Sequence, residues 1–292
     1  MWFYFALLSA FFNSFGNIAR RTHGSLAQPA ELAWWTLLLS LPLGVGLLLN
    51  APQPWHTSNA YILPVLLAST LNAYGSVLQF RAYKYGDASG ISPITNLLPV
   101  LIVFTSFVML GIHPHPGGFV GILLIVAGVY YTSVNGRHSL FHPFKQLLKN
   151  KGSRAMLGCV LLWAVSTNFD KQALYSARPE YLLLIHQLVI FGIISTYLLF
   201  RPIKHRVKRG EKVLKKWGWH LAAISVFTTL AVFFQMKAVS LADPSYVLAV
   251  KRVDVLFTVL FAGLFLREKH ILKRFEGSVI ALAGIIVLYI FK

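Results

Sequence analysis

Acidic residues are scarce in this chain. Nine aspartates and glutamates stand against 27 lysines and arginines in 292 residues, and from 88 to 136 no Asp, Glu, Lys or Arg occurs. That stretch is long enough for two membrane spans, with the turn-forming segment HPHPGG at 113–118 between them. Since 56% of the residues are hydrophobic and only 12% are charged, the composition excludes an ordinary soluble domain and indicates an integral membrane protein.

Cysteine and the common catalytic motifs are rare or missing. A single cysteine, Cys159, excludes an internal disulfide and a cysteine metal cluster. His113 and His115 form a turn with Pro114 but have no third ligand nearby in the sequence, so they do not indicate a metal site. No nucleotide-binding glycine loop and no HExxH motif occurs. The sequence therefore predicts neither an enzyme nor a primary pump, and no metal or cofactor.

Apolar windows predict an all-α polytopic membrane protein with ten transmembrane helices. The first window begins almost at the N-terminus without the basic region or cleavage site of a signal peptide, so we expect a permanent helix there. The ten windows are 2–19, 31–49, 60–80, 88–110, 117–134, 155–174, 181–200, 218–238, 244–266 and 275–291.

The basic residues lie mostly in short loops between these windows. This distribution favours contact with anionic membrane lipids over nucleic-acid binding. Loops that follow even-numbered helices hold only Lys171, Arg178 and Lys237, so most of the positive charge follows odd-numbered helices. The bias predicts both termini outside and the 5/6, 7/8 and 9/10 loops in the cytoplasm.

Two halves of the chain repeat each other. At an offset of 156, matching residues fall on three helices of each half, and helix 1 matches helix 6 at a slightly different offset. Because each half has five helices, the second enters the membrane from the opposite side, which predicts two inverted five-helix repeats at 1–135 and 155–292, joined by a basic linker at 136–154. The matched pairs include Gln79 with Gln235, Arg81 with Lys237, Asp87 with Asp243, Gly121 with Gly277, and Gly128 with Gly284.

Three segments carry a resemblance to a known family. These are LLWAVSTNFDKQAL at 161–174, KAVSLADPSYV at 237–247 and LFLREKHILKRFEGSVIALAGIIVLYI at 264–290. With the repeat, they resemble the ten-helix, EamA-like branch of the drug/metabolite transporter superfamily. The resemblance implies a multi-pass cell-membrane protein, in a bacterium the inner membrane, that transports a small molecule as a monomer or homodimer.

Three charged residues stand within the ninth apolar window: Lys251, Arg252 and Asp254. Charge at that depth is costly and marks a functional site by default. Helical spacing predicts that Lys251 and Asp254 neutralise each other, whereas Arg252 has no partner on its own helix and suits an oxyanion. Within the superfamily, the Lys251–Arg252 pair resembles the dibasic pair by which sugar-phosphate translocators hold phosphate. A structural ion network is the alternative interpretation.

The sequence thus predicts a secondary transporter of a small anionic or phosphorylated metabolite, working by alternating access as an antiporter or with protons. An exporter of amino acids or amphipathic metabolites and a lipid-headgroup flippase are the alternatives. Asp170 is expected to pair with Lys171 or Arg252 or to carry a coupling proton. Three basic residues near helix ends are expected to reach the membrane interface, with a gate as the alternative role: Arg81, Lys84 and Lys237. The other expected substrate-binding residues are polar groups in apolar windows, with structural hydrogen bonding as the alternative: Asn17, Gln79, Thr95, Asn96, Asn168, His186, Gln187 and Gln235.

Overall fold

The computed structural model describes residues 1–23, 28–86, 91, 94–133, 150–200, 206–258 and 271–291. Their secondary structure is helical, with one short 3-10 turn at Asn59–Tyr61. The ten α-helices are α1 (Trp2–His23), α2 (Pro29–Leu49), α3 (Ile62–Tyr85), α4 (Leu98–Leu110), α5 (Pro116–Ser133), α6 (Lys151–Leu174), α7 (Pro179–Leu199), α8 (Arg206–Leu241), α9 (Pro244–Lys251) and α10 (Ile271–Ile290).

The lengths and compositions of these helices suit a bilayer. Four described segments are long and apolar enough to cross it, and three shorter helical stretches are equally apolar. Large apolar side chains on the outer surface remain exposed, as Phe104 on α4 and Ile286 on α10 do. A surface of this kind is solvated by lipid. The four longer segments are Pro29–Leu49, Asn59–Tyr85, Pro179–Leu199 and Gly218–Leu241, and the shorter ones are Leu98–Leu110, Pro116–Tyr131 and Val279–Ile290.

The helices of the two repeats pack across each other. Helix α1 packs against α8, and its repeat counterpart α6 packs against α3, while α2 pairs with α7 and α5 with α10. Between α1 and α8, the rings of Phe12 and Phe234 stack with centroids 5.6 Å apart, and Ser9 Oγ donates to the Ala231 carbonyl at 2.7 Å. This exchange of partners is what an inverted pseudo-two-fold axis produces, so the predicted fold class is confirmed.

Glycines bring α5 and α10 into backbone contact. A Cβ atom built on Gly128 would lie 2.5 Å from the Gly277 carbonyl oxygen, and one on Gly284 would lie 2.9 Å from the Gly121 carbonyl oxygen. These two contacts are equivalent under the repeat, because Gly121 corresponds to Gly277 and Gly128 to Gly284. Small residues therefore let the last helix of each half approach the other closely and antiparallel.

One end of the bundle is interlocked between the halves. We call it the interlocked face, and it carries the loops at 50–58, 111–115, 175–178 and 242–243. Thr57 N donates to the Ser176 carbonyl and Arg178 N to the Trp55 carbonyl, both at 2.8 Å, and the hydroxyls of Tyr61 and Tyr181 lie 2.9 Å apart. Backbone bonds thus join the 2/3 loop of the first half to the 6/7 loop of the second.

Helices 4 and 9 are broken, which corrects the continuous windows predicted at 88–110 and 244–266. Helix α9 ends at Lys251, a turn follows at 252–253, and the helix resumes over 254–258. In the first half a turn at 96–97 precedes α4. The offset of 156 between the repeats makes these two turns equivalent positions. Smaller differences are the earlier starts of α6 at Lys151 and of α8 at Arg206. Most of the linker and residues 259–270, with Glu268, lie outside the described residues.

The glycine contact between α5 and α10 can be tested with Gly128→Ala. Because the added methyl would meet backbone atoms of α10, which cannot rotate away, we expect a loss of about 1–3 kcal/mol in stability. The melting temperature of the purified protein in detergent measures it. The matched control is Gly46→Ala on α2, since a Cβ there meets nothing within 4 Å. Equal melting temperatures for both variants would contradict the contact.

Candidate functional site

A cavity of about 240 Å³ lies at the centre of the bundle, between the two halves, and both polar and apolar side chains line it. Its volume is somewhat below the ~300–1,000 Å³ typical of small-molecule sites. Eleven of the twelve residues predicted from the sequence line it: Asn17, Gln79, Thr95, Asn96, Asp170, His186, Gln187, Gln235, Lys251, Arg252 and Asp254.

Arg252 stands at the turn that breaks helix 9, and it reaches the equivalent turn of helix 4. Its Nη1 atom donates to the Thr95 carbonyl oxygen at 3.4 Å. A helix break in a bilayer frees backbone carbonyls that must find donors within the protein. Here the guanidinium at the break in helix 9 donates to a backbone carbonyl at the break in helix 4. The side chain is 4% exposed, and its Nε has no hydrogen-bond partner among the described residues. Arg252 therefore retains donor capacity beside the cavity.

Lys251 and Asp254 do not form with each other, among the described residues, the direct ion pair that helical spacing predicted. Lys251 Nζ donates to Gln235 Oε1 on α8. Asp254 Oδ2 instead accepts from Asn13 Nδ2 at 2.5 Å and Asn17 Nδ2 at 3.0 Å, both on α1. The turn at 252–253 explains the difference, because the one-face relation of residues three apart holds only for a continuous helix. Asp254 Oδ1 is buried without a hydrogen-bond partner among the described residues.

Asp170 pairs with His186, and not with Lys171 or Arg252. Its Oδ1 lies 3.7 Å from His186 Nδ1, and His186 Nε2 is 2.8 Å from Asn72 Nδ2. Lys171 turns the other way and donates to the carbonyls of Val239 at 2.8 Å and Ala242 at 3.2 Å. Those carbonyls end α8, where a cation satisfies groups that the helix leaves unpaired.

The amides predicted from the sequence take different positions. Gln187 Nε2 donates weakly to Thr229 Oγ1 at 3.4 Å and to the Ser40 carbonyl at 3.5 Å, so it joins three helices on the cavity wall. Asn168 does not line the cavity. It accepts from Ser106 Oγ at 2.6 Å and donates to Thr105 Oγ1 at 2.8 Å, which makes it a structural link between α6 and α4.

Sequence reasoning missed most of the hydroxyl groups and one central amide, Asn13. Asn13 stands one helical turn before Asn17, which is the signal that could have found it. Serine and threonine are too common in membrane helices to single out by type. The hydroxyl-bearing residues that line the cavity without having been predicted are Thr36, Ser40, Ser76, Tyr83, Thr167, Ser225, Thr228, Thr229 and Thr258.

A charged, hydrogen-bonding cavity between inverted repeats with two broken helices is the arrangement of a membrane transporter. The chain belongs to the EamA-like transporter family, whose model matches residues 1–134 and 150–290. Among curated proteins, none matches it. A solved structure described as "Crystal structure of protein" superposes with a TM-score of 0.71 over 98% of this chain and 97% of that chain, at 15% identity. That likeness supports the fold.

The role of Asp254 as the counter-charge of the cavity can be tested with Asp254→Asn. The change keeps the shape and lets an amide oxygen face Asn13 and Asn17, but it leaves Lys251 and Arg252 with less compensation. We expect a lower melting temperature in low-salt detergent, and a larger recovery on adding phosphate than the parent shows. The control is Asp243→Asn at the start of α9, which removes a carboxylate that interacts with Lys171 and does not line the cavity. This variant should show no larger recovery on adding phosphate than the parent. A variant that melts like the parent in both buffers would contradict this role.

Proposed function

We propose that this protein is a secondary transporter of a small anionic metabolite, with phosphorylated metabolites as the first candidates. The proposal rests on the surroundings of Arg252. This buried cation lies beside the cavity, makes no ion pair among the described residues, and its Nε has no hydrogen-bond partner there. An oxyanion is the ligand that a guanidinium binds best. Lys251 adds a second positive charge at the same turn.

The remaining wall suits the neutral part of such a substrate. Amides and hydroxyls surround the two cations, and several of them come from the first half, including Gln79 and Ser76. Groups that both donate and accept can bind hydroxyl-rich molecules without carrying charge. A metabolite with one anionic end and a polar body therefore matches the cavity, with the anionic end at α9.

Ligand binding tests the proposal directly. We expect glycerol 3-phosphate or inorganic phosphate to raise the melting temperature of the purified protein, and Arg252→Gln to weaken that binding about 10- to 100-fold. The reason is that a hydrogen bond to a charged group contributes roughly 1.5–3 kcal/mol. The control is Lys84→Gln, at the end of α3 and away from the cavity lining.

Two results would count against an anion site. One is stabilisation by leucine but never by the phosphate compounds, which would favour the amino-acid class. The other is an Arg252→Gln variant that binds phosphate as the parent does.

Alternating access in the cell membrane is the second part of the proposal, and it is supported by an asymmetry between the repeats. At the interlocked face, Lys237 Nζ of α8 lies 3.0 Å from Glu180 Oε1 in the first turn of α7. The first half carries the equivalent groups at the opposite end of the bundle, with Glu31 in the first turn of α2 and Arg81 near the end of α3. No ion pair joins Glu31 to Arg81 among the described residues. Each half would thus close its own face, one at a time.

The ion pair between Glu180 and Lys237, and the equivalent pair proposed between Glu31 and Arg81 in the other conformation, predict opposite effects of matched substitutions. Glu180→Gln should favour opening of the interlocked face, and Glu31→Gln should favour keeping it closed, each by about fivefold in population if the pair contributes about 1 kcal/mol. The measurement is the distance between spin labels on cysteines at positions 59 and 175, with Cys159 replaced by alanine. Shifts in the same direction for both variants would exclude paired gates.

A further inference from the structure

Asp170 and His186 form a titratable pair on the cavity wall that substrate anchoring does not use. Asp170 Oδ1 and His186 Nδ1 lie 3.7 Å apart, and the side chains are 13% and 7% exposed. His186 Nδ1, the atom that faces Asp170, has no hydrogen-bond partner among the described residues. Two groups that can share one proton thus face each other inside the protein, beside a cavity that a proton can reach.

Most of the charged groups on the helices packed around this pair have other partners. Arg252 contacts the first half at Thr95, and Asp254 is held by two amides of α1. Glu31 of α2 makes no ion pair among the described residues. Three lysines also have partners: Lys171 of α6 donates to a carbonyl at the end of α8, Lys237 pairs with Glu180, and Lys251 donates to Gln235. The protonation state of the pair is therefore set by its own two members and by the net charge of the cavity.

The pair is connected to the other half of the protein by hydrogen bonds. Asn72 of α3 places its Nδ2 2.8 Å from His186 Nε2 and donates from the same atom to Ser166 Oγ at 2.5 Å. In this arrangement His186 Nε2 accepts, so that nitrogen carries no proton. When the ring holds protons on both nitrogens, both become donors, and the Asn72 amide must turn or withdraw. Protonation thus alters a contact between the halves.

We propose that Asp170 and His186 bind the proton that couples to conformational change in this transporter. The proposal deepens the proposed function and rests on the two halves moving. The pair shares the proton, as close titratable groups do. The conformation described, with the interlocked face closed, holds His186 Nε2 as an acceptor and so disfavours the doubly protonated ring. Proton binding accordingly favours opening of the interlocked face.

Charge balance gives the proton a second role. When the pair carries no shared proton, the formal charges of Asp170, Lys251, Arg252 and Asp254, which line the described cavity, sum to zero. A bound anion makes the occupied cavity negative, and one proton on the pair removes one unit of that charge. Because burying net charge is costly, anion and proton are expected to be bound and moved together. The linkage between them follows from charge and needs no direct contact.

The test needs no substrate, so its failure is distinguishable from failure of the anion site. Spin labels at positions 59 and 175 are measured between pH 5 and 8 in the parent and in His186→Gln. We expect the longer-distance population to grow as the pH falls, by up to about tenfold per pH unit for one linked proton, and this response to be lost in His186→Gln. Asp170→Asn is the second variant, should His186→Gln fail to fold.

The matched control is His220→Gln, at an exposed histidine on α8 that should leave the response intact. A parent without any pH response would overturn the proposal, as would a response that survives in both His186→Gln and Asp170→Asn. If the pH response holds while phosphate compounds fail to stabilise the protein, the proton site stands and the anionic substrate is wrong.

Discussion

The backbone groups freed by two broken helices are the constraint on which the centre of this protein depends. A bilayer offers no water to such groups, and each one left unsatisfied costs several kcal/mol. The breaks at 96–97 and 252–253 must therefore meet inside the protein. They do so through Arg252, which donates to the Thr95 carbonyl. A cavity at the pseudo-two-fold axis and a cation beside it follow from the same requirement.

The halves divide the chemistry of the cavity unequally. Among the described lining residues, the ionised side chains all come from the second half, and so does His186. The first half contributes neutral groups that form hydrogen bonds to these side chains. Asn13 and Asn17 donate to Asp254, and the Thr95 carbonyl accepts from Arg252. Asn72 forms a hydrogen bond with His186. Charges in one repeat are thus stabilised by dipoles in the other. Relative motion of the repeats necessarily changes the hydrogen bonds that stabilise those charges.

Sequence reasoning succeeded where it used the alignment of the two repeats with each other. The offset of 156 paired Thr95 and Asn96 with Lys251 and Arg252, and the structure breaks both helices there. It failed on the partners of the charges, because helical spacing describes only one face of one helix. Asp254 finds its donors on α1, more than 200 residues away in the chain. Helical spacing likewise contained no sign of the turn that separates Lys251 from Asp254.

The same inversion that builds the cavity also limits how it can open. Under the repeat, each position at one face has an equivalent position at the other, so a strictly symmetric protein would close both faces equally well. The chain departs from symmetry in the residues that matter here. Glu180 and Lys237 are joined at the interlocked face, whereas Glu31 and Arg81 are not joined at the other. Under the alternating access proposed above, this inequality lets one conformation exchange its closed face for the other without new kinds of contact.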